Sequence, residues 1–379
     1  MMGDEASTER FSLKDHLFNR ESVTRLANML ASADPKFPTA KFIEGVMDGL
    51  SPLELKQRVS FITEVLASYL PRDFDESVAI VVAALPAPLD PTLADGDFGD
   101  FTIASLGEFV STRGLESFEL SMAALKEITK RFSMEGPLRP FIDSYPAETL
   151  AVLTEWATDE NYHVRRLVSE GTRPLLPWAP RIGLEPSDTI PLLDLLHADL
   201  TRYVTRSVAN HLNDIAKSRP ELVIDTLGRW RDAGVQDEAE LQWMTRHALR
   251  TLTKKGEPNA MQMLGYSLQP AVSVGPISLG PGPVRIGGLL RFEVPITAHG
   301  DEKLMVDYVI HFVKKDGSTR PKVFKMKQLA IASGETNVLG KSHRMPANAT
   351  TFTLYPGTHR LSLQVNGSSR ASTEFLLEP

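Results

Sequence analysis

His163-Val164-Arg165-Arg166-Leu167-Val168-Ser169-Glu170, Tyr203-Val204-Thr205-Arg206-Ser207-Val208-Ala209-Asn210 and Trp243-Met244-Thr245-Arg246-His247-Ala248-Leu249-Arg250 are three segments that repeat at forty-residue spacing. Arg166, Arg206 and Arg246 fall in register without a gap. So do Val164, Val204 and Met244 on the apolar side, and Glu170, Asn210 and Arg250 one helical turn on. A period near forty with two helices per unit predicts a HEAT-like α-solenoid. An arginine at one fixed place in each unit predicts a ladder of cations suited to an evenly spaced polyanion.

Outward from these segments, residues 10–265 read as helical. Phe42-Ile43-Val46-Met47-Leu50 and Val59-Phe61-Ile62-Val65-Leu66-Tyr69-Leu70 keep helical spacing. Pro71, Pro86, Pro140, Pro146 and Pro174 punctuate the helices. Residues 86–100, with Pro86, Pro88, Pro91, Gly96 and Gly99, read as a loop. Ser51-Pro52 and Thr158-Asp159 read as helix starts. The character changes near Gln269. Beyond it glycine and proline separate alternating strands, among them Leu290–Val294, Val306–Val313 and His359–Val365. Lys315-Asp316-Gly317-Ser318 and Asn366-Gly367 are hairpin signals, and Tyr355–His359 reads as a tyrosine corner. The expectation is a multidomain, mainly α chain: a HEAT-like α-solenoid over 1–268, then an all-β Ig-like sandwich over 269–379.

The chain has 379 residues, long enough for two domains. It has no cysteine, which excludes disulfides, thiolate zinc sites and a cysteine nucleophile. No apolar run is long enough to span a bilayer and Met1–Arg10 has no signal-peptide core, so the expected location is cytoplasmic. Net charge is −7, but it is unevenly spread. Residues 1–160 carry 14 Lys/Arg against 27 Asp/Glu, residues 161–260 carry 14 against 13, and residues 261–379 carry 13 against 8. An acidic first third disfavours a polyanion; the later segments admit one.

The chemistry-bearing segment is residues 156–178. On one helix Arg166, Glu170 and Arg173 are spaced four and three apart and share a face. Pro174 turns the chain, and Trp178 follows. A carboxylate between two arginines stays ionised and, beside an aromatic ring, favours a cationic ligand or transition state. A structural ion pair is the competing reading. Glu135 is the second candidate, in the first turn of a helix that Ser133 caps; complementing the helix dipole is its competing role. Two further clusters, residues 207–217 and 246–256, end in Lys217 and in Lys254-Lys255. Lysines there also satisfy helix carbonyls.

Together, HVRRLVSEGTRPLLPWAPRIG (163–183), SVANHLNDIAK (207–217) and RHALRTLTKKGEPNAMQMLGY (246–266) resemble the DNA alkylation repair glycosylases of the AlkC branch, relatives of AlkD. The resemblance covers about residues 10–267, and the remainder resembles the Ig-like extension of a subset of that family. Leu175, Thr205 and Gly136-Pro137 depart from the pattern. The resemblance implies a cofactor-free, metal-free, monomeric enzyme acting on double-stranded DNA. It implies hydrolysis of the N-glycosidic bond of cationic 3-methyladenine and 3-methylcytosine, with no base flipping. By carry-over, Glu135, Glu170 and Trp178 form the catalytic set. Arg165, Arg166, Arg173, Arg206, Asn210, Lys217, Arg246, Arg250, Lys254 and Lys255 are the DNA-binding set. The basic Ig-like loops, with Arg285, Arg344 and Arg370, are expected to meet the minor groove. A non-catalytic DNA-binding solenoid and a protein-interaction scaffold are the alternatives.

Overall fold

The computed structural model describes residues 12–90, 92, 99–347 and 352–379. The expected acidic N-terminal segment and Pro91 and Gly96 of the 86–100 loop lie outside them. Helices run in the order α1 (Leu13–Leu17), α2 (Arg20–Ala33), α3 (Thr39–Leu50), α4 (Leu55–Tyr69), α5 (Phe74–Ala83), α6 (Ala104–Arg113), α7 (Phe118–Thr129) and α8 (Glu135–Ser144). They continue as α9 (Pro146–Trp156), α10 (Tyr162–Gly171), α11 (Pro186–Leu196), α12 (Arg202–Ile215), α13 (Pro220–Ala233), α14 (Glu238–Ala248), α15 (Arg250–Lys255) and α16 (Pro258–Met263). Strands follow: β1 (Val272–Val274), β2 (Ser278–Leu279), β3 (Val284–Arg285), β4 (Leu289–Ala298), β5 (Glu302–Val313), β6 (Thr319–Ile331), β7 (Thr336–Arg344), β8 (Gly357–Val365) and β9 (Ser368–Glu378). The fold class is the expected one, a helical region followed by a two-sheet β region.

The residues up to Ile215 and Gly228–Met244 form one compact unit; Ala216–Leu227 and Thr245–Pro379 form the other. In the first unit, α10 packs on α12, α8, α11 and α9. The forty-residue register has a packing basis. Val164, Val204 and Met244 are all fully buried, as are Val168, Val208 and Ala248. Two of the expected helix starts move. Asn161, not Thr158-Asp159, caps α10: its side chain accepts from the His163 N–H at 2.9 Å. Ser51 ends α3, and α4 starts at Leu55, where the Gln57 side chain accepts from the Glu54 N–H at 2.9 Å. Almost fully buried Arg58 of α4 takes the carbonyls of Leu53, Lys14 and Phe18, tying α4 to the turn before it and to α1.

The second unit holds the two sheets. β1, β4 and β2 pair in that order, with β7 on β4. The other sheet runs β3-β9-β8-β5-β6. Along β4 burial alternates with period two, and Leu290, Phe292, Val294 and Ile296 meet Leu304, Val306, Tyr308 and Ile310 of β5 in one core. α15 and α16 belong with the sheets. Met261 and Tyr266 pack on Met305, and Lys303 Nζ donates to the Leu264 carbonyl at 2.9 Å. Backbone replaces side chain at Gly256 and Gly367: a Cβ on Gly367 would fall 2.4 Å from the Gly256 Cα. The tyrosine corner is built differently from the expectation. Fully buried His359 occupies it, its Nε2–H donating to the Tyr355 carbonyl at 3.0 Å while Nδ1 accepts from the Val313 N–H at 3.2 Å.

Asn366 makes the β8–β9 turn at φ 47°, a conformation only a few residue types tolerate. Its side chain also accepts from the Met305 N–H and donates to the Ser267 carbonyl, both at 2.8 Å. Asn366→Ala is therefore expected to destabilise the second unit by about 2–4 kcal/mol, from αL strain and an orphaned buried N–H. Asn366→Gly, which removes only the hydrogen bonds, should cost less. Denaturant unfolding of the two variants checks both; equal losses would leave the backbone argument without support.

Candidate active site

Two small residues let three helices close on one point. Gly107 of α6 admits Met134, whose Sδ would lie 2.1 Å from a Cβ there. Gly171, at the end of α10, admits Leu138 of α8, whose Cδ2 would lie 2.5 Å from a Cβ. Glu135 at the start of α8 and Glu170 in the last turn of α10 thereby reach the same guanidinium. Arg166 Nη1 lies 3.5 Å from Glu135 Oε2, and Arg166 Nη2 lies 3.5 Å from Glu170 Oε1. The expected cap is absent: Met134 precedes α8 without a side-chain cap, and Ser133 Oγ accepts a hydrogen bond from Arg166 Nη1 instead.

The network extends into α12. Arg173 Nη1 donates to Glu170 Oε1 at 2.7 Å, and Arg173 Nε donates to Asp214 Oδ2 at 2.8 Å. The Ser207 hydroxyl donates to Glu170 Oε2 at 2.7 Å. The Tyr203 ring lies under Arg166, 4.9 Å from centroid to guanidinium carbon. Burial opposes ionisation of Glu170, but Arg166 and Arg173 outweigh it and hold the carboxyl below its ordinary range. The same pairs keep both arginines charged although burial opposes it. Glu135 is less enclosed, its side chain 13% exposed against 4% for Glu170.

Trp178 does not join this network through a hydrogen bond. It is 51% exposed on the loop after α10. The loop itself is pinned. Buried Arg139 donates to the carbonyls of Gly171, Arg173 and Pro180 at 3.0, 3.0 and 2.8 Å, Leu176 is buried, and Lys56 Nζ donates to the Trp178 carbonyl. An aromatic face is thus presented to solvent from a fixed backbone.

The expected DNA-binding set divides. Arg165 is partly buried: its Nε and Nη2 bind Asp199 at 2.5 and 3.1 Å, and its Nη1 takes the Asp159 and Glu160 carbonyls. Arg166 and Arg173 are buried in the carboxylate network, so the ladder does not begin as an exposed cation at Arg166. Arg206 is partly exposed, over the Tyr203 ring at 5.7 Å, and Asn210 is partly exposed on the same helix. In the second unit Lys217, Arg246, Lys254 and Lys255 are exposed, and Arg250 is partly exposed with Nη1 on the His247 carbonyl. Thr205, the departure from the family pattern, donates to Glu240 Oε1 at 2.5 Å beside Arg202, whose guanidinium stacks on Trp243 at 4.0 Å. Arg139, Ser207 and Asp214 carry structure here that spacing did not single out.

The arrangement can do one kind of chemistry well. It presents fixed negative charge, desolvated and unable to relax, toward a species that develops positive charge. A carboxylate beside such a charge can also polarise water for bond cleavage.

Comparisons with known proteins agree in direction. A family model described as "Uncharacterised protein YhaZ, C-terminal Ig-like domain" matches residues 273–379. The Bacillus subtilis (strain 168) protein named "Uncharacterized protein YhaZ" is 31% identical over 363 residues, 95% of this chain and 98% of that protein. A solved structure, the Pseudomonas fluorescens alkylpurine DNA glycosylase AlkC bound to DNA containing an abasic site analog, superposes with a TM-score of 0.86 at 33% identity. The match covers 97% of this chain and 100% of that one.

Behind the carboxylates, fully buried His211 ties α12 to α10 through Nδ1 to the Ser169 carbonyl at 2.9 Å, and to α11 through Nε2 and Thr189 Oγ1 at 3.2 Å. Burial, with Arg173 nearby, pushes its pKa down to about 4. The unfolded chain takes up this proton near its ordinary pKa of about 6.5. Between those values the unfolded state binds a proton that the folded state does not, so stability is complete above the upper value and falls as pH falls toward the lower. The expected loss is about 3 kcal/mol across that window. Urea unfolding of wild type and His211→Asn on both sides of the window checks it; an unchanged pH slope in the variant would sink the assignment.

Proposed function

Because the chain belongs to the AlkC-type family of DNA alkylation repair glycosylases that carry a C-terminal Ig-like domain, we propose that it is a monofunctional DNA glycosylase acting in duplex DNA on cationic alkylated bases. The observation that carries the reading is the buried Arg166 guanidinium set between Glu135 and Glu170. 3-Methyladenine and 3-methylcytosine fit such a site. Both bases carry positive charge, so the N-glycosidic bond is already weakened and the base leaves without needing a proton.

The remaining barrier is the oxocarbenium-like sugar that cleavage leaves behind. Glu170 supplies fixed negative charge against it, and Glu135, the more open carboxylate, polarises the attacking water. Trp178 offers its negative π face to the cationic sugar or the lesion nucleotide. The exposed position of that ring suits a lesion approached from the backbone while still stacked; most base-modifying enzymes withdraw the base into a pocket. Arg166 orients both carboxylates and is not available as a phosphate clamp. Phosphate contact falls to Arg206, Asn210, Lys217, Arg246, Arg250, Lys254 and Lys255. We assign the glycosylase part to residues 1–268 and the Ig-like part to 269–379. α15 and α16 pack on the sheets, so a truncation after Gln269 would uncover apolar surface on both fragments.

Release of 3-methyladenine from methylated duplex DNA under single-turnover conditions tests the activity. Glu170→Gln should retain DNA affinity and lose roughly 10²–10³-fold in rate, the loss for one well-placed electrostatic group. Glu135→Gln should lose a similar factor, and the double variant less than the product of the two. Trp178→Ala should lose less rate and also bind the lesion more weakly. Absence of release by the wild-type protein would leave a DNA-binding protein in place of an enzyme.

Arg206→Ala should weaken binding to damaged and undamaged duplexes alike and reduce the salt slope by about one. Unchanged affinity and slope would remove Arg206 from the DNA-binding surface.

A further inference from the structure

The proposed reaction leaves two groups on α12 without a role. Ser207 donates to Glu170 Oε2 at 2.7 Å and lies 2.6 Å from Ser169 Oγ. Asp214 takes Arg173 side-on, its Oδ2 2.8 Å from both Nε and Nη2, and the remaining nitrogen of that guanidinium, Nη1, meets Glu170 Oε1 at 2.7 Å. Each oxygen of Glu170 therefore has a short donor of its own. The carboxylate can neither turn nor readily accept a proton.

A plain structural tie between α10 and α12 is the simpler account, and the packing argues against it. Val164, Leu167, Val168, Val204 and Val208 are already fully buried along the two helices. Adding buried charges and a hydroxyl contributes little to stability, because desolvation offsets most of the attraction. A network of this cost is accounted for when it holds a charge where chemistry needs it.

We infer that Ser207 and Asp214 are positioning residues for the proposed glycosylase reaction: Ser207 fixes the Glu170 carboxylate directly, and Asp214 fixes it by locking Arg173. The inference rests on the glycosylase reading given above. Glu170 is faced by Glu135 from α8, by Arg166 and Arg173 from α10 and the turn after it, and by Tyr203, Ser207 and Asp214 from α12, with His211 behind them. Removing the Ser207 donor takes a hydrogen bond from the ionised form alone, so it disfavours that form.

The test uses the full-length protein and a duplex carrying 3-methyladenine, with release followed in single turnover from mildly acidic to neutral pH. Ser207→Ala should lose about tenfold in rate, the scale of one hydrogen bond to a charged group, with DNA affinity unchanged. The acid limb of its pH–rate profile should move to higher pH. In a Glu170→Gln background the same substitution should change the rate no further. Asp214→Asn, which keeps shape and removes charge, should reproduce the rate loss and serves if Ser207→Ala does not fold. A wild-type rate and acid limb in Ser207→Ala, or an equal loss in the Glu170→Gln background, would overturn the inference while leaving the glycosylase reading intact. No release by the wild-type protein would overturn the reading itself, and this inference with it.

Discussion

A guanidinium buried between two carboxylates constrains the whole helical unit. Taking Arg166, Arg173, Glu135, Glu170 and Asp214 out of water costs several kcal/mol per ion, and only close pairing offsets it. The partners come from α8, α10, α12 and the turn after α10. None of these elements can shift without leaving a charge unpaired. The apolar register at positions 164, 204 and 244 supplies the favourable burial that makes such a network tolerable. Packing holds the helices together, and the ion pairs set how they are aligned.

The fold was largely legible in the sequence because both regions advertise their period. A forty-residue recurrence of apolar and basic residues marks the paired helices, and alternation along β4 marks the sheets. Helix starts were less legible at Ser51 and Asn161, where several capping residues stand side by side and tertiary partners choose among them. The corner at Tyr355–His359 misled for a similar reason. Two hydrogen-bonding rings stand four residues apart, and only packing decides which turns inward.

At the candidate site the residues were legible but their partners were not. Arg166, Glu170 and Arg173 share a helical face by spacing alone, and the structure pairs them. Arg165 stands beside Arg166 in the chain, yet Asp199, in the α11–α12 connection, claims it. The same one-dimensional regularity that suggested a ladder hides which of its cations are already neutralised. Ser207 and Asp214 escaped for the converse reason. A serine and an aspartate on a buried helix face carry no signal until the opposite face is known.

Leu138 touches α10 where Gly171 has no side chain. A methyl group at that point would meet the buried Leu138 side chain, so either that side chain turns or the start of α8 moves from the end of α10, and Glu135 and Glu170 ride on those two ends. The close approach of the two ends that carry the carboxylates uses an atom that is missing. Where Leu138 does not yield, a substitution at 171 acts as a wedge on the spacing of the acids without altering the identity of either one.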